Sequence, residues 1–346
     1  MNQFLYNFLA WINSWVGSWG IAMIVFTVLI RLVLTPLDFK SRISMRKTTK
    51  LQPQLQALQK KYANDKEKLN AKTAELYKKA HVNPLSSCLP MLLSWPVLII
   101  VFGAMRMAAN EQLLGQLTQI LKLPEGGATP VLEPFLWIKN LWMPDNFFSS
   151  AYPDISTLRV IPADQWLKWF EGLQQTGVPK MLTDLGITAE SFDSKVLADT
   201  VTRLVNAMTG NVEGIQGIPA YIEAVATIPG FTVPLVNWSV PRMFNGFLLL
   251  PILSAVSQIA MTKIMGTNQV QPQPAQGQSQ APNTGKFMQY FFPIFSLVIC
   301  LGYSAAFSLY WVFSGVASMT QTIIINKWLD KKEEAAKAVA GEGSVK

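Results

Sequence analysis

An apolar stretch over residues 17–38, GSWGIAMIVFTVLIRLVLTPLD, constrains this chain more than any other feature of its sequence. From Ile21 to Leu37 its only polar side chains are those of Thr27, Arg31 and Thr35. About 20 apolar residues form a helix long enough to cross the roughly 30 Å hydrocarbon core of a bilayer. The stretch therefore predicts a membrane-spanning helix that carries one permanent positive charge, because a guanidinium keeps its proton.

Arg31 needs a compensating environment, since a charge at mid-span costs at least ~2.5 kcal/mol on insertion scales. One hypothesis is purely structural: the side chain extends toward the interface near Leu37, about 9 Å along the helix, or forms an ion pair inside a helical bundle. The other is that Arg31 lines a polar, water-filled cavity within the membrane. Thr27 precedes it by one turn and lies on the same face.

The composition agrees with a membrane protein that crosses the bilayer several times. Of the 346 residues, 50% are hydrophobic and only 14% are charged, against about 25% charged in soluble domains. Cys88 and Cys300 lie far apart, each in an apolar segment without a nearby histidine, so neither a metal site nor a disulfide framework is predicted. We expect no cofactor.

The distribution of charge predicts the topology. Residues 1–30 carry no charge, and we expect the first span to be retained because no signal-peptide pattern precedes it. Residues 38–84 hold twelve basic and four acidic side chains, a net charge of +8, whereas residues 109–242 hold eight and thirteen, a net charge of −5. Because basic loops remain in the cytoplasm, the N-terminus and the region 109–242 should lie outside, and the C-terminus inside.

The basic segment 38–84 predicts two amphipathic helices folded as a hairpin, with a turn and helix cap at Asn64–Asp65. Three interpretations of its charge stay open. It could bind nucleic acid, it could meet anionic lipid headgroups, or it could reflect topology alone.

Together these patterns predict an all-α membrane protein with five spans, divided as follows: an interfacial helix 1–16, spans at 17–37, 85–108, 243–265, 287–303 and 305–326, the basic hairpin 38–84, an extracytoplasmic region 109–242 with an insertion at 150–240, a flexible linker 266–286 and a cytoplasmic tail 327–346. Within the outer region, short helices are expected at 164–175, 190–209 and 219–226. It contains no metal, nucleotide or nucleophile motif.

Six motifs occur in a specific order, and each is short: Thr27 and Arg31 before Thr35-Pro36-Leu37, LQP at 51–53, NPLSSCLPMLLSWPV at 83–97, FLWIKNL at 135–141, LLPIL at 249–253 and LYW at 309–311. In this order and topology the chain resembles the YidC/Oxa/Alb family of membrane protein insertases, in its short bacterial form with a five-span core. The resemblance covers 1–145 and 243–330, and the region 150–240 departs from it.

The resemblance implies a hydrophilic groove, open to the cytoplasm and to lipid, into which Arg31 projects with Thr27 beside it. Gln258 and Trp311 are then candidate groove residues. The second and fifth spans would form a surface along which substrates slide, carrying Cys88, Pro90, Met91 and Pro96 on the former and Phe307 and Tyr310 on the latter. Ordinary helix packing is the alternative explanation for these six residues.

The function implied is a membrane protein insertase and chaperone of the bacterial plasma membrane, acting alone or with the Sec translocon. Its partners would be nascent membrane proteins and lipids, with the Sec translocon, the ribosome and signal recognition particle components as further candidates, and no specific nucleic acid sequence. One rival is an anion channel or transporter with Arg31 as its selectivity charge, although no internal repeat is present. An intramembrane enzyme is disfavoured, because the only histidine, His81, lies in the polar hairpin.

Overall fold

Helices make up most of the computed structural model, which describes residues 2–80, 89–233, 238–266 and 284–342. In chain order the helices and strands are α1 (Asn2–Val16), α2 (Trp19–Lys50), α3 (Gln52–Lys61), α4 (Lys66–Lys79), α5 (Leu89–Leu121), α6 (Ile155–Leu158), α7 (Ala163–Thr176), α8 (Lys180–Asp184), α9 (Leu197–Met208), α10 (Pro219–Val225), β1 (Thr227–Val233), β2 (Trp238–Pro241), α11 (Leu249–Gly266), α12 (Thr284–Gly302) and α13 (Ala305–Glu342). Short 3₁₀ helices occupy Leu123–Glu125 and Ala189–Phe192.

Three helices within the described ranges are long and apolar enough to cross a membrane. They cover Trp19–Lys50, Pro96–Leu121 and Ala305–Ala335 and correspond to the first, second and fifth predicted spans. The third and fourth predicted spans correspond to shorter apolar helices, Leu249–Ile264 and Tyr290–Gly302. Most of the predicted linker 266–286 lies outside the described residues. The protein is thus an all-α membrane protein in its main architecture, and the five-span arrangement remains a prediction.

Helix α2 continues well beyond the predicted end of the first span at Leu37. It runs to Lys50, so the first part of the basic segment extends this helix and the hairpin begins only at Gln52. The reason is local: no glycine or proline occurs between Leu37 and Pro53 to end the helix.

The basic hairpin consists of α3 and α4, which pack against each other. Asp65 caps α4 as predicted, since its carboxylate accepts a hydrogen bond of 3.0 Å from the backbone N–H of Lys68. Farther along α4, Glu75 accepts bonds from Lys72 and Lys79, and these bonds lower the pKa of its carboxyl to about 2. Local charge pairs therefore support a helix whose other face is strongly basic.

Two compact units divide the chain. The first combines Met1–Met23, Ile100–Leu253 and Leu297–Tyr310, and the second combines Ile24–Ile99, Ser254–Ser296 and Trp311–Lys346. The first unit holds α1 together with the region 109–242, and the second holds Arg31 and the basic hairpin.

In the first unit, the C-terminal half of α5 supports the predicted insertion. This helix of 33 residues is about 50 Å long and continues past the predicted end of its span. Three side-chain bonds attach it to the insertion: Arg106 Nη2 to the Val160 carbonyl (2.6 Å), Asn110 Nδ2 to Gln165 Oε1 (2.9 Å) and Trp169 Nε1 to Thr118 Oγ1 (2.8 Å).

The three short helices expected in the insertion correspond to α7, to Ala189–Phe192 with α9, and to α10. The apolar core beneath them contains Trp166, which is fully buried and stacks on Phe192 with ring centroids 5.6 Å apart. The antiparallel pair β1–β2 that follows was not predicted. Its strand β1 contains Pro229 and Gly230, which are residues that disfavour strands.

Two buried asparagines join the loop after α5 to the segment before α11. Asn245 donates through Nδ2 to the carbonyls of Asn140, Met143 and Pro144 at 2.9–3.0 Å, and its Oδ1 accepts the backbone N–H of Asn140 at 2.8 Å. The side chain of Asn140 in turn exchanges hydrogen bonds with Gln116 of α5. Because every one of these groups is buried, the network determines how the two segments pair.

Candidate functional site: the polar face shared by α2 and α13

Helix α2 has one exposed apolar side and one side that packs against protein, as is typical of a membrane helix in a bundle. In its apolar part, from Ile21 to Val33, the exposed side chains are large and apolar: Ile21, Val25, Val28, Leu29, Leu32 and Val33. On the opposite side Thr27 is fully buried and Arg31 is half-buried. Arg31 therefore lies on the side of α2 that faces protein, which is where intramembrane charges belong.

Ser314 of α13 is the direct partner of Arg31. Its hydroxyl accepts hydrogen bonds from Nε (3.0 Å) and from Nη2 of the guanidinium. Among the residues that the structure describes, no carboxylate forms an ion pair with Arg31. The carboxylate of Asp38, on the same helix, interacts with it only by longer-range electrostatic attraction. A neutral hydroxyl thus orients the guanidinium without neutralising its charge, and a guanidinium has five N–H donors to share.

One turn toward the C-terminal end of α2, Gln321 of α13 forms a second polar contact. Its Nε2 donates to the backbone carbonyl of Arg31 at 3.1 Å and to the hydroxyl of Thr35 at 2.6 Å. Thr35 Oγ1 donates to the same carbonyl at 2.9 Å. These bonds fix the backbone that carries Arg31, just before Pro36 interrupts the regular helical hydrogen bonding.

Beyond these contacts α2 and α13 run parallel to each other, since partner residues increase together along both helices. Arg42 donates to Thr322, and the rings of Phe39 and Trp328 meet edge to face at 5.2 Å. At the end of α2, Arg46 pairs with Asp330 and Glu333, and Lys50 pairs with Glu333 at 2.8 Å. The partners change from hydroxyls and an amide to carboxylates as the sequence changes from apolar to charged.

Helix α11 approaches α13 at the level of Arg31. A Cβ atom built on Gly315 would lie 3.0 Å from the hydroxyl of Ser257, so the missing side chain at Gly315 permits the contact. The predicted groove residues Gln258 and Trp311 are both half-buried; Gln258 follows Ser257 in the chain, and Trp311 lies one turn before Ser314. The structure thus places α2, α11 and α13 together and brings Arg31 into contact with Ser314.

The residues predicted to form the substrate slide have different environments. Phe307 and Tyr310 are buried, and Phe307 packs edge to face on Phe102 at 5.2 Å. Pro96 is exposed on α5. Cys88 lies outside the described residues, as does His81, and the same holds for the side-chain surroundings of Pro90 and Met91, at the start of α5.

Neither Ser314 nor Gln321 is among the site residues predicted from the sequence. A signal for both was present: Ser314, Ser318, Gln321 and Thr322 recur at helical spacing in an otherwise apolar segment. The one charged residue of the first span stands out in the sequence, whereas the row of polar residues that meets it does not.

Comparison with known proteins adds independent information. The sequence matches the family model described as "60Kd inner membrane protein" over residues 11–177 and 221–333. The residues between these two parts of the match, 178–220, lie within the predicted insertion 150–240.

Three relatives carry the name "Membrane protein insertase YidC". The protein of Fusobacterium nucleatum is 39% identical over 43% of this chain and 62% of its own length. That of Anaeromyxobacter dehalogenans is 39% identical over 40% of this chain and 22% of its own length. That of Treponema denticola is 25% identical over 91% of this chain and 35% of its own length. The chain therefore covers less than two thirds of the length of each of these relatives.

The family model spans well over half of the sequence and includes both helices that hold the Arg31 contact. The chain belongs to the 60Kd inner membrane protein family, which is the YidC/Oxa/Alb family.

Proposed function

We propose that this protein inserts membrane proteins into the bacterial plasma membrane and assists their folding. The observation that carries the proposal is Arg31: a guanidinium on the protein-facing side of an apolar helix, bonded to the neutral hydroxyl of Ser314. The names of the relatives support the same activity.

The physical basis of the mechanism is the transfer of a short polar tail. A hydrophobic segment gains about 25 cal/mol per Å² on leaving water, which is enough to drive its own entry into lipid. The barrier is the polar tail that must cross with it. A groove lined by Arg31, Thr27, Gln258 and Trp311, open to the cytoplasm, would shorten the apolar distance that this tail travels.

Arg31 would hold an acidic tail transiently. Coulomb attraction strengthens as the local dielectric constant falls, and the membrane potential favours moving negative charge outward by about 2.3 kcal/mol per charge per 100 mV. An arriving carboxylate would compete with Ser314 for the guanidinium, while Gln321 and Thr35 keep the backbone of Arg31 in place.

The same proposal gives positions and roles to the termini, the basic hairpin and the slide residues. The N-terminus would lie outside and the C-terminus in the cytoplasm, and the hairpin α3–α4 would meet anionic headgroups or the nascent chain. Cooperation with the Sec translocon, and contacts with ribosomes or signal recognition particle components, would involve this cytoplasmic side. The slide would use exposed Pro96 on the second span, with the buried Phe307 and Tyr310 giving the fifth span a rigid packed base.

The test is insertion of a single-span substrate with an acidic outer tail into vesicles that contain the purified protein, with ion leakage measured in parallel. We expect Arg31→Glu to abolish insertion, because it repels the tail, and Arg31→Lys to retain part of it, because the charge remains while the planar donor pattern is lost. Lys47→Ala is the matched control, since it removes an exposed positive charge from the same helix.

Two results would contradict the proposal. Equal insertion by the wild type and all Arg31 variants would remove Arg31 from the mechanism. Ion conductance without insertion, altered by the same substitutions, would instead favour the anion channel. A substrate with a neutral tail separates charge recognition from loss of folding, because a folded Arg31→Glu protein should still insert it.

A further inference from the structure

A tight turn in the outer part of the first unit has an unusual tip. Phe135 and Ile138 exchange two backbone hydrogen bonds of 2.9 and 3.0 Å, which leaves Leu136 and Trp137 as the two residues of the turn. Leu136 has a φ of +56° and is 72% exposed. Left-handed backbone in such turns favours glycine or asparagine, and a branched leucine side chain there is strained.

Packing within this unit does not compensate for the strained backbone of Leu136, since most of its side chain is exposed. Backbone outliers persist where a function or the surrounding structure requires them. An exposed apolar side chain in this position therefore favours a contact outside this unit.

The turn is attached to the start of α11. The indole N–H of Trp137 lies 3.2 Å from both carboxylate oxygens of Asp145. The same carboxylate accepts the backbone N–H groups of Phe247 (2.9 Å) and Leu250 (2.7 Å) and so caps α11. The tip is thus held beside the first residues of an apolar helix whose exposed side chains include Leu249, Ile252 and Leu253.

The other side of the turn is attached to the start of α2. A Cβ atom on Gly20 would lie 2.1 Å from the ring of Phe135, so this ring occupies the space that a side chain at Gly20 would need. Gly20 and Leu249 lie at the start of two apolar helices, and the boundary of the bilayer lies where such helices begin. A turn fixed to both is therefore held at the level of the membrane interface.

We propose that Leu136, together with Phe247 (54% exposed), contacts lipid and anchors this turn in the outer leaflet. Trp137 suits that depth, because an indole combines an apolar ring with a polar N–H and is enriched at membrane interfaces. The inference depends on the protein being membrane-embedded and not on its activity as an insertase.

Site-specific quenching tests the contact. A Cys88→Ser, Cys300→Ala background receives Leu136→Cys and an environment-sensitive fluorophore, and the protein is placed in vesicles of phosphatidylcholine and phosphatidylglycerol brominated near the headgroup end of the acyl chains. The matched control is Val160→Cys, 55% exposed on the outer insertion. We expect severalfold stronger bromine quenching at position 136 than at 160, and weaker quenching by aqueous iodide.

Equal bromine quenching at the two positions, with equal access to iodide, would overturn the proposal. Phe247→Cys provides a second labelled position and should behave like Leu136→Cys. Quenching at 247 but not at 136 would confine the lipid contact to the segment just before α11 and would also overturn the role of the tip.

Discussion

Arg31 and Asn245 differ in how far their structural roles can be inferred from the sequence. Arg31 is the only charge in an apolar stretch, so the cost of burying it points to a special environment from the order of residues alone. Asn245 stands in an ordinary loop sequence, and only its tertiary contacts reveal that its amide makes four buried hydrogen bonds. A residue that conflicts with its neighbours in the sequence, such as Arg31, can therefore be recognised from the sequence. A residue that supplies hydrogen bonds to buried groups, such as Asn245, cannot.

Asn245→Ala should lower the stability of the outer region strongly. The substitution leaves the buried N–H of Asn140 without its partner, whereas the three carbonyls each keep a backbone N–H donor. An unsatisfied buried group costs about 1–3 kcal/mol, so we expect a loss of that size. Thermal unfolding in detergent micelles measures it. The control is Asn211→Ala, because Asn211 is exposed and bonds only locally to Thr209. A midpoint for Asn245→Ala equal to that of Asn211→Ala would contradict the prediction.

At the scale of elements, α2 and α13 form the structural basis of the candidate site. Each exceeds the thickness of a bilayer, with 32 and 38 residues, or about 48 and 57 Å. Their contact surface carries polar pairs at both ends, with Ser314 and Gln321 at one end and Arg46 at the other, and the rings of Phe39 and Trp328 meet between them. Because apolar packing gives little preference for one partner in lipid, hydrogen bonds and charge pairs are what determine the register of two such helices.

Arg46→Ala should loosen the extension of α13. Arg46 bridges Asp330 and Glu333, and exposed ion pairs contribute about 0.2–1 kcal/mol each, so we expect faster hydrogen exchange over residues 327–335 at low salt and a smaller difference at high salt. Lys47→Ala, which removes a neighbouring exposed charge, should leave exchange there unchanged. The reversed pair Arg46→Asp with Asp330→Arg should restore protection. Unchanged exchange in Arg46→Ala at low salt would show that the charges do not hold α13.

At the scale of the whole molecule, the segment 178–220 is the internal part of the chain that the family model does not match. Residues 178–220 have no counterpart in the family model, yet Lys180 is bonded through its backbone N–H to Glu125, close to the end of α5. The segment therefore shares a core with the matched residues before it, through Phe192 and Trp166, and these residues are attached to α5 through Trp169. The part of α5 that continues past the predicted span provides side chains that bond to these matched residues.

Trp166→Ala should unfold the insertion locally. Removing a fully buried tryptophan costs about 3–5 kcal/mol, and the loss should appear as increased hydrogen exchange over residues 155–208. Trp166→Phe is the matched control: it keeps an aromatic ring against Phe192 and removes an indole N–H that is buried without a hydrogen-bond partner. We expect a much smaller effect from it, with the hairpin α3–α4 as an internal reference. Equal exchange in both variants would show that this core does not stabilise the insertion.

The sequence by itself determined the apolar helices, the opposed charges of the two polar regions, the cap at Asp65 and the importance of Arg31. Each of these depends on local composition or on spacing along one helix, which the chain carries in its order of residues. Only the tertiary structure decided that Ser314 and Gln321 meet Arg31 and Thr35, that α2 and α5 extend past their spans, and that Leu136 is held beside α11. The physical reason is that hydrogen bonds between residues hundreds of positions apart depend on which helix faces pack together, and a polar side chain looks the same in sequence whether it is buried with a partner or exposed to water.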